Sequence, residues 1–148
     1  MAYQTTLTHD GLEAAIAKLR DLEDMPVARL LDGAGGILES GARRRIAEDK
    51  ASADGTPWVA WSERYDETRE HGVHSLLMND GDLLDSIQSY TTGAEAIVGS
   101  NMVYAAHQHE GSDTDEGGIP ARPFLGMSDD DARDIEDLIE DFIERQIQ

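Results

Sequence analysis

The chain has 148 residues, no cysteine and a net charge of −19, from 31 acidic against 12 basic side chains. That length suits one domain with a modest core, and the missing thiols exclude disulfides and thiolate chemistry, leaving histidine as the soft metal ligand. The charge argues against wrapping nucleic acid, since affinity for phosphate comes from clustered Lys and Arg.

No run approaches the roughly 18 apolar residues of a membrane span. The start, Met1-Ala-Tyr-Gln-Thr-Thr, lacks the basic segment and apolar stretch of a signal peptide, so a soluble protein is expected. An acidic surface repels DNA passing nearby, or keeps a protein hydrated in strong salt. The only lysines are Lys18 and Lys50, and this Asp-rich, Lys-poor balance resembles proteins of salt-loving cells. A halophilic host stands beside the plainer reading of an ordinary acidic surface.

In chain order, Thr8 or Asp10 can cap a first helix whose stripe is Leu12, Ile16, Leu19 and Leu22. Pro26 ends it and suits the first turn of a second helix, over Val27 to Ala51, with Leu30, Leu31, Ala34, Ile37, Leu38 and Ile46 apolar. Gly33, Gly35, Gly36 and Gly41 weaken that helix by about 1 kcal/mol each relative to Ala, which points to a kink or to close packing. Arg43, Arg44 and Arg45 near its end suit the helix dipole. Ser52 to Asn79 read as an irregular connection carrying Trp58 and Trp61, with a short helix possible over His71 to Met78. Alternation from Ile87 onward, a turn at Gly93, a run from Ala96 to Ser100 and another from Met102 to His107 predict an antiparallel meander. An acidic loop follows over Gly111 to Gly118. Ser128-Asp-Asp-Asp131 resembles a capping box, opening a helix with Ala132, Ile135, Leu138, Ile139, Phe142, Ile143 and Ile147 on one face.

The expected architecture is α+β: N-terminal helices, an antiparallel sheet of three to four strands, and a C-terminal helix packed on the sheet. Within one domain over 1–148, a helical hairpin takes 1–51, the long connection 52–79, the meander 80–110, a loop and Pro-rich segment 111–127, and the last helix 128–148.

Several constellations carry candidate chemistry. On a strand, His107 and His109 point to one face with Glu110 following, and His71 and His74 share a helix face. A zinc site needs three or four converging ligands with orienting partners, and local spacing secures only two, so no metal is expected. Carboxylates are too abundant for a pair of them to mean catalysis, and no phosphate loop, Gly-x-Ser-x-Gly elbow or calcium-loop spacing is present. No catalytic residue and no cofactor is expected.

Arg122 stands between Pro120 and Pro123, each of which restricts its predecessor to extended backbone. A rigid extended segment presents side chains at low entropic cost, so Arg122 is assigned to an interface or to ion pairs with carboxylates. Phe124 is assigned first to packing its own helix against the sheet. Trp58 and Trp61 close the core if buried and form a contact surface if exposed.

The segments Tyr104-Ala-Ala-His-Gln-His-Glu-Gly111 and Ile119-Pro-Ala-Arg-Pro-Phe-Leu-Gly126 resemble the phage virion morphogenesis, or tail completion, family. Weaker echoes lie in Gly55-Thr-Pro-Trp58 and Leu77-Met-Asn-Asp-Gly-Asp-Leu-Leu-Asp-Ser-Ile87. The resemblance covers about Asp54 to Phe142. It implies a structural virion protein without enzymatic activity, a tail completion or tail terminator ring at the head–tail junction. Its implied partners are copies of itself in a sixfold ring, the tail tube protein and a neck or head-completion protein, with DNA passing through and no membrane involved. Its implied place is the tail or neck of the virion, and the host cytoplasm during assembly. The His-Gln pair belongs to a structural turn in that family. Interface candidates are Trp58, Trp61, Tyr104, His107, Gln108, Arg122 and Phe124, and the loops 52–79 and 111–118 are expected to meet neighbouring subunits. Two other classes remain open: an acidic charge mimic that sequesters a basic partner, and a small metal-dependent enzyme. A halophilic origin predicts a melting temperature that rises steadily with added salt, read by thermal denaturation; a flat response marks an ordinary acidic protein.

Overall fold

A computed structural model describes residues 13, 15–17, 20, 26–69, 74–113 and 117–148. The first expected helix lies largely outside them, although the five described residues of that stretch are helical. The second is α1, Val27–Arg44, uninterrupted over 18 residues and prolonged by a π-helical turn, Arg45–Asp49. It stops at Lys50, which adopts a left-handed φ of 52°. The Lys50 ammonium donates to the Ile46 carbonyl, to Ser75 Oγ at 2.8 Å and to the Leu76 carbonyl at 2.9 Å. A cation there complements the negative end of the helix, and burial lowers the Lys50 pKa. One side chain thus ties the end of α1 to the connection at 75–76. Gly33, Gly35 and Gly41 of α1 serve close approach, whereas a Cβ on Gly36 would meet nothing within 4 Å. A Cβ on Gly33 would meet Leu138 at 2.7 Å, and one on Gly41 would meet Asp131 Oδ1 at 2.6 Å.

The connection holds a short helix, α2, Glu63–Thr68, and isolated bridges pair Ala51 with Pro57 and Ser75 with Met78. The expected short helix over 71–78 is absent from its described part, which forms that second bridge; His71 lies outside the described residues. Helix α3, Asp82–Ser86, leads into a hairpin of β1, Ile87–Thr92, and β2, Glu95–Ser100. The pairing is antiparallel from Ile87↔Ser100 to Thr92↔Glu95, and Gly93, with φ of 51°, opens the two-residue turn as such tight hairpins require.

The sheet therefore has two strands among the described residues, fewer than the expected three to four. The run after Asn101 turns at Met102 and becomes helix α4, Ala105–Glu110. Six residues are too few for alternation to separate a strand from a helix, and Ala105-Ala-His-Gln favours the helix once β2 ends.

Among the described residues no third strand covers β1; α1 does so with side chains. Glu39 accepts from both the Ser89 amide and hydroxyl at 2.8 Å, Arg43 donates to the Ile87 carbonyl at 2.7 Å, and the Thr91 hydroxyl donates to Asp32. Because Thr92 and Glu95 close the ladder, Ile87, Ser89 and Thr91 turn their backbone polar groups outward, where α1 meets them. The same alternation turns the Ala96 and Val98 amides outward on β2, where no partner meets them among the described residues.

Helix α5, Asp129–Ile147, opens with the expected capping box: Ser128 Oγ accepts from the Asp131 amide at 3.1 Å, and the Asp131 carboxylate accepts from the Ser128 amide at 3.0 Å. Its main neighbour is α1, which stands as a middle layer between α5 and the hairpin. The expected packing of the last helix straight onto the sheet gives way to this order because the glycines of α1 admit α5 so closely. The core gathers Ala42, Ile46, Trp58, Leu83, Ile87, Ala105 and Phe124.

Inside that core lies an ion pair. Arg45 Nη1 meets Asp131 Oδ2 at 3.1 Å with both side chains 3% exposed, while Arg45 Nε and Nη2 donate to the carbonyls of Phe124 at 3.0 Å and Gly126 at 2.7 Å. Burial works to raise the Asp131 pKa, but hydrogen bonds from Ser128 and Arg45 hold it below the usual carboxylate value. Arg45→Met strands that carboxylate and should lower the unfolding free energy by about 3–5 kcal/mol. In denaturant titrations the double variant Arg45→Met/Asp131→Leu should recover part of the loss.

Candidate interface cleft

Trp58 is buried and donates Nε1 to the Pro123 carbonyl at 3.1 Å, which pins the connection to the Pro-rich segment. Three residues on, Trp61 is half-buried and stacks edge-on against Tyr65 at 5.8 Å, while the Arg69 guanidinium lies 4.0 Å over its ring. Ser62 caps α2 by accepting from the Tyr65 amide at 3.3 Å, which fixes where Tyr65 stands.

Helix α4 divides the signature residues among its faces. Ala105 and His109, four apart, turn inward; Tyr104 and Gln108, also four apart, face a cleft; His107 is exposed. The expectation that His107 and His109 share a face is overturned, because it assumed a strand. His109 stacks edge-on against Phe124 at 5.1 Å, and its Nδ1 accepts from the amides of Phe124 at 3.2 Å and Leu125 at 3.4 Å. A nitrogen that accepts is unprotonated, so the imidazole is neutral, with its proton on Nε2. Burial lowers its pKa against the opposing pull of Glu110.

The chain then doubles back. Gly111 has φ of 78°, and a Cβ there would meet the Ile119 carbonyl at 2.7 Å; Ser112 and Ile119 exchange two backbone hydrogen bonds at 2.9 Å. This return carries Arg122 under the connection. Its backbone amide donates to the Gln108 carbonyl at 2.9 Å, its Nε to the Val59 carbonyl at 2.9 Å, and its Nη2 to the Ala60 carbonyl at 3.4 Å. Arg122 forms no ion pair among the described residues; burial, the one cause acting on it, lowers its pKa.

The result is a cleft of about 330 Å³ lined by Trp61, Tyr65, His74, Tyr104, Gln108 and Arg122, with Asp80 and Asp82 on its wall. Burial, then the charges of Asp82 and Asp80, raise the Tyr104 pKa. Of the seven interface candidates, Trp61, Tyr104, Gln108 and Arg122 converge here, Trp58 and Phe124 belong to the core, and His107 stands apart on the surface. Among the described residues no group of three or more His, Asp or Glu could hold a metal ion, and no helix is long and apolar enough to cross a membrane.

Comparison with known proteins bears on this geometry. The profile of the phage virion morphogenesis family matches residues 7–144. The chain belongs to this family. Among relatives, a protein of Escherichia phage Mu named as a candidate capsid assembly protein, G, is 35% identical over 100 residues, 62% of this chain and 64% of that one. Mu-like prophage FluMu G protein 2 of Haemophilus influenzae is 39% identical over 75 residues, 49% of this chain and 54% of that one. The matches thus span a little over half to just under two thirds of those relatives. No solved structure matches.

For this family member, sequence reasoning overlooked Arg45, Lys50 and the acceptor role of His109. A signal for Arg45 was present: it falls on the stripe of Leu38 and Ala42 at spacings of four and three, and a cation on an apolar stripe demands a buried anion. Lys50 gave less away, since its acceptors lie at 75 and 76.

The lowered His109 pKa sets a pH dependence. The folded state binds the proton less readily than the unfolded chain, so its contribution is complete above the unfolded value, near 6.5, and is lost as pH falls through the lower folded value. His109→Asn places an acceptor that does not titrate where Nδ1 stands. Thermal melts between pH 7.5 and 5 should show a smaller loss of melting temperature in that variant than in the parent.

Proposed function

We propose that this protein is a tail completion or tail terminator subunit. On this reading it assembles as a sixfold ring at the head–tail junction, ending the tail tube and joining it to the connector. The family match over residues 7–144 carries the reading, because it covers the helices, the hairpin and the cleft together. The partners proposed are further copies of the chain, the tail tube protein and a neck protein, and the role is structural, with no reaction catalysed. The site supports this. Its aromatic and polar lining has the composition of an interface core, and the half-buried imidazole that first suggested metal chemistry is occupied with two backbone amides. A net charge of −19 suits a lumen through which DNA slides without being held.

The rival reading, an acidic module that sequesters a basic protein, needs a monomer or dimer with a continuous acidic face. Removing the gene from its phage separates the two. Loss of the ring should leave filled heads and tails of uneven length unjoined, seen by electron microscopy. Joined, infectious particles in its absence would sink the assembly role. Smaller deletions within 63–68 or 113–117, which spare Trp58, Val59, Ala60 and the Ser112–Ile119 pairing, should block joining while the isolated protein still folds.

A further inference from the structure

The hairpin leaves one row of its polar groups unanswered. Along β2 the amides and carbonyls of Ala96, Val98 and Ser100 turn away from β1, and no partner meets them among the described residues. Sheets blunt such an edge with a lysine, a proline or a bulge. Strand β2, Glu-Ala-Ile-Val-Gly-Ser, has none of these and pairs with β1 without interruption.

A second feature lies on the same side. Gly35 of α1 sits over Ser89 and Ala96, while Asp32, Glu39 and Arg43 reach from α1 to β1. At about 3.6 residues per turn, Leu31 and Leu38 are rotated the other way, to the β2 side. Leu31 and Leu38 are half-buried, as are Ala34, Ala96 and Val98. An apolar strip thus runs beside the open backbone row.

What fits this edge follows from what the chain can offer. The outer side of β1 is filled by α1, so among the described residues β2 is the open strand edge of any second copy. Two like strands meeting about a two-fold axis run antiparallel, and their close hydrogen-bonded pairs must come from the residues that turn outward. With the axis at Val98, Val98 pairs with its counterpart and Ala96 pairs with Ser100, which uses the whole row. Between these pairs Ile97 faces Gly99, a large side chain against none, and Glu95 lies level with the neutral Asn101. An axis at Ala96 sets Val98 against the hairpin turn, and one at Ser100 runs the strand into the turn after Asn101. The strand is self-complementary in one register.

We propose that two copies pair through β2 in that register, so that one sheet runs through both. The axis stands perpendicular to the sheet, so both α1 helices lie on one face with their Leu31–Leu38 strips turned toward each other. A two-fold contact joins like surfaces and is not the head-to-tail contact from which a ring closes. The pairing therefore goes beyond the assembly reading and describes the protein free in solution. Each copy carries a charge of −19, so repulsion opposes the pair and added salt strengthens it. A basic partner at this edge would show the reverse.

The register makes the test specific. In the full-length double variant Ile97→Cys/Gly99→Cys, the facing Cα atoms stand about 4.5 Å apart, within disulfide reach. Oxidation should give a covalent dimer on non-reducing gels. In each single variant like cysteines are diagonal, about 7–8 Å apart, and no dimer band should form. Ala96→Pro removes an amide that the hairpin does not use, and proline is tolerated where an edge N–H faces solvent. It should keep the parent's circular dichroism and sediment as a monomer where the parent sediments as a dimer. A parent that sediments as a monomer, an unchanged mass in Ala96→Pro, or a double variant that cross-links no better than the single ones overturns the pairing. If Ala96→Pro does not fold, the cross-link decides alone. None of these readings depends on the place of the protein in the particle, which gene removal tests separately.

Discussion

The pair of Arg45 and Asp131 is the constraint on which the rest of this fold depends. Its two residues are 86 positions apart, and around them meet the end of α1, the start of α5 and the carbonyls of Phe124 and Gly126. A buried ion pair adds little net stability over well-packed hydrophobes, because desolvation consumes most of the attraction. What it sets here is geometry. The guanidinium fork has three directed contacts, and the missing Cβ of Gly41 leaves room for the carboxylate where it stands. The α1–α5 crossing and the path of residues 124–126 are thereby fixed together.

From that node the signature segment acquires its roles one residue at a time. Phe124 is held from one side by Arg45 through its carbonyl and from the other by His109 through its amide. Pro123 takes the Trp58 indole N–H, and Arg122, one step earlier, takes the carbonyls of the next two residues of the connection. A motif that reads as chemistry, with two histidines, a glutamine and an arginine, is thus mostly a clamp between two distant segments. The cleft is the seam left where the clamp closes, lined there by Tyr104, Gln108 and Arg122.

The legible and illegible parts of the sequence divide along a physical line. Helix α1, the turn at Gly93 and the capping box at Ser128 rest on spacing and local hydrogen bonds, and each is present, the helix with its π turn ending at Asp49 rather than Ala51. The phage virion morphogenesis family was equally readable, from the motifs at 104–111 and 119–126. Helix α4 was not, because a six-residue element is decided by what ends β2 and covers β1, neither of which is local. Arg122 was read as an interface or ion-pair residue, since double proline predicts its backbone and says nothing of the Val59 and Ala60 carbonyls that it meets. The cleft itself needs three remote segments at once, so no spacing encodes it.

The side chains of Glu39 and Arg43 on the outer side of β1 have a wider consequence. A two-stranded hairpin ordinarily offers two edges, and strand addition at both is how open-ended fibres grow. Here one edge is already satisfied by a helix, leaving β2 as the sole docking line of this hairpin. Two copies that paired through β2 would consume both free edges and finish as a closed four-stranded sheet. Indefinite strand polymerisation through this hairpin is thereby barred.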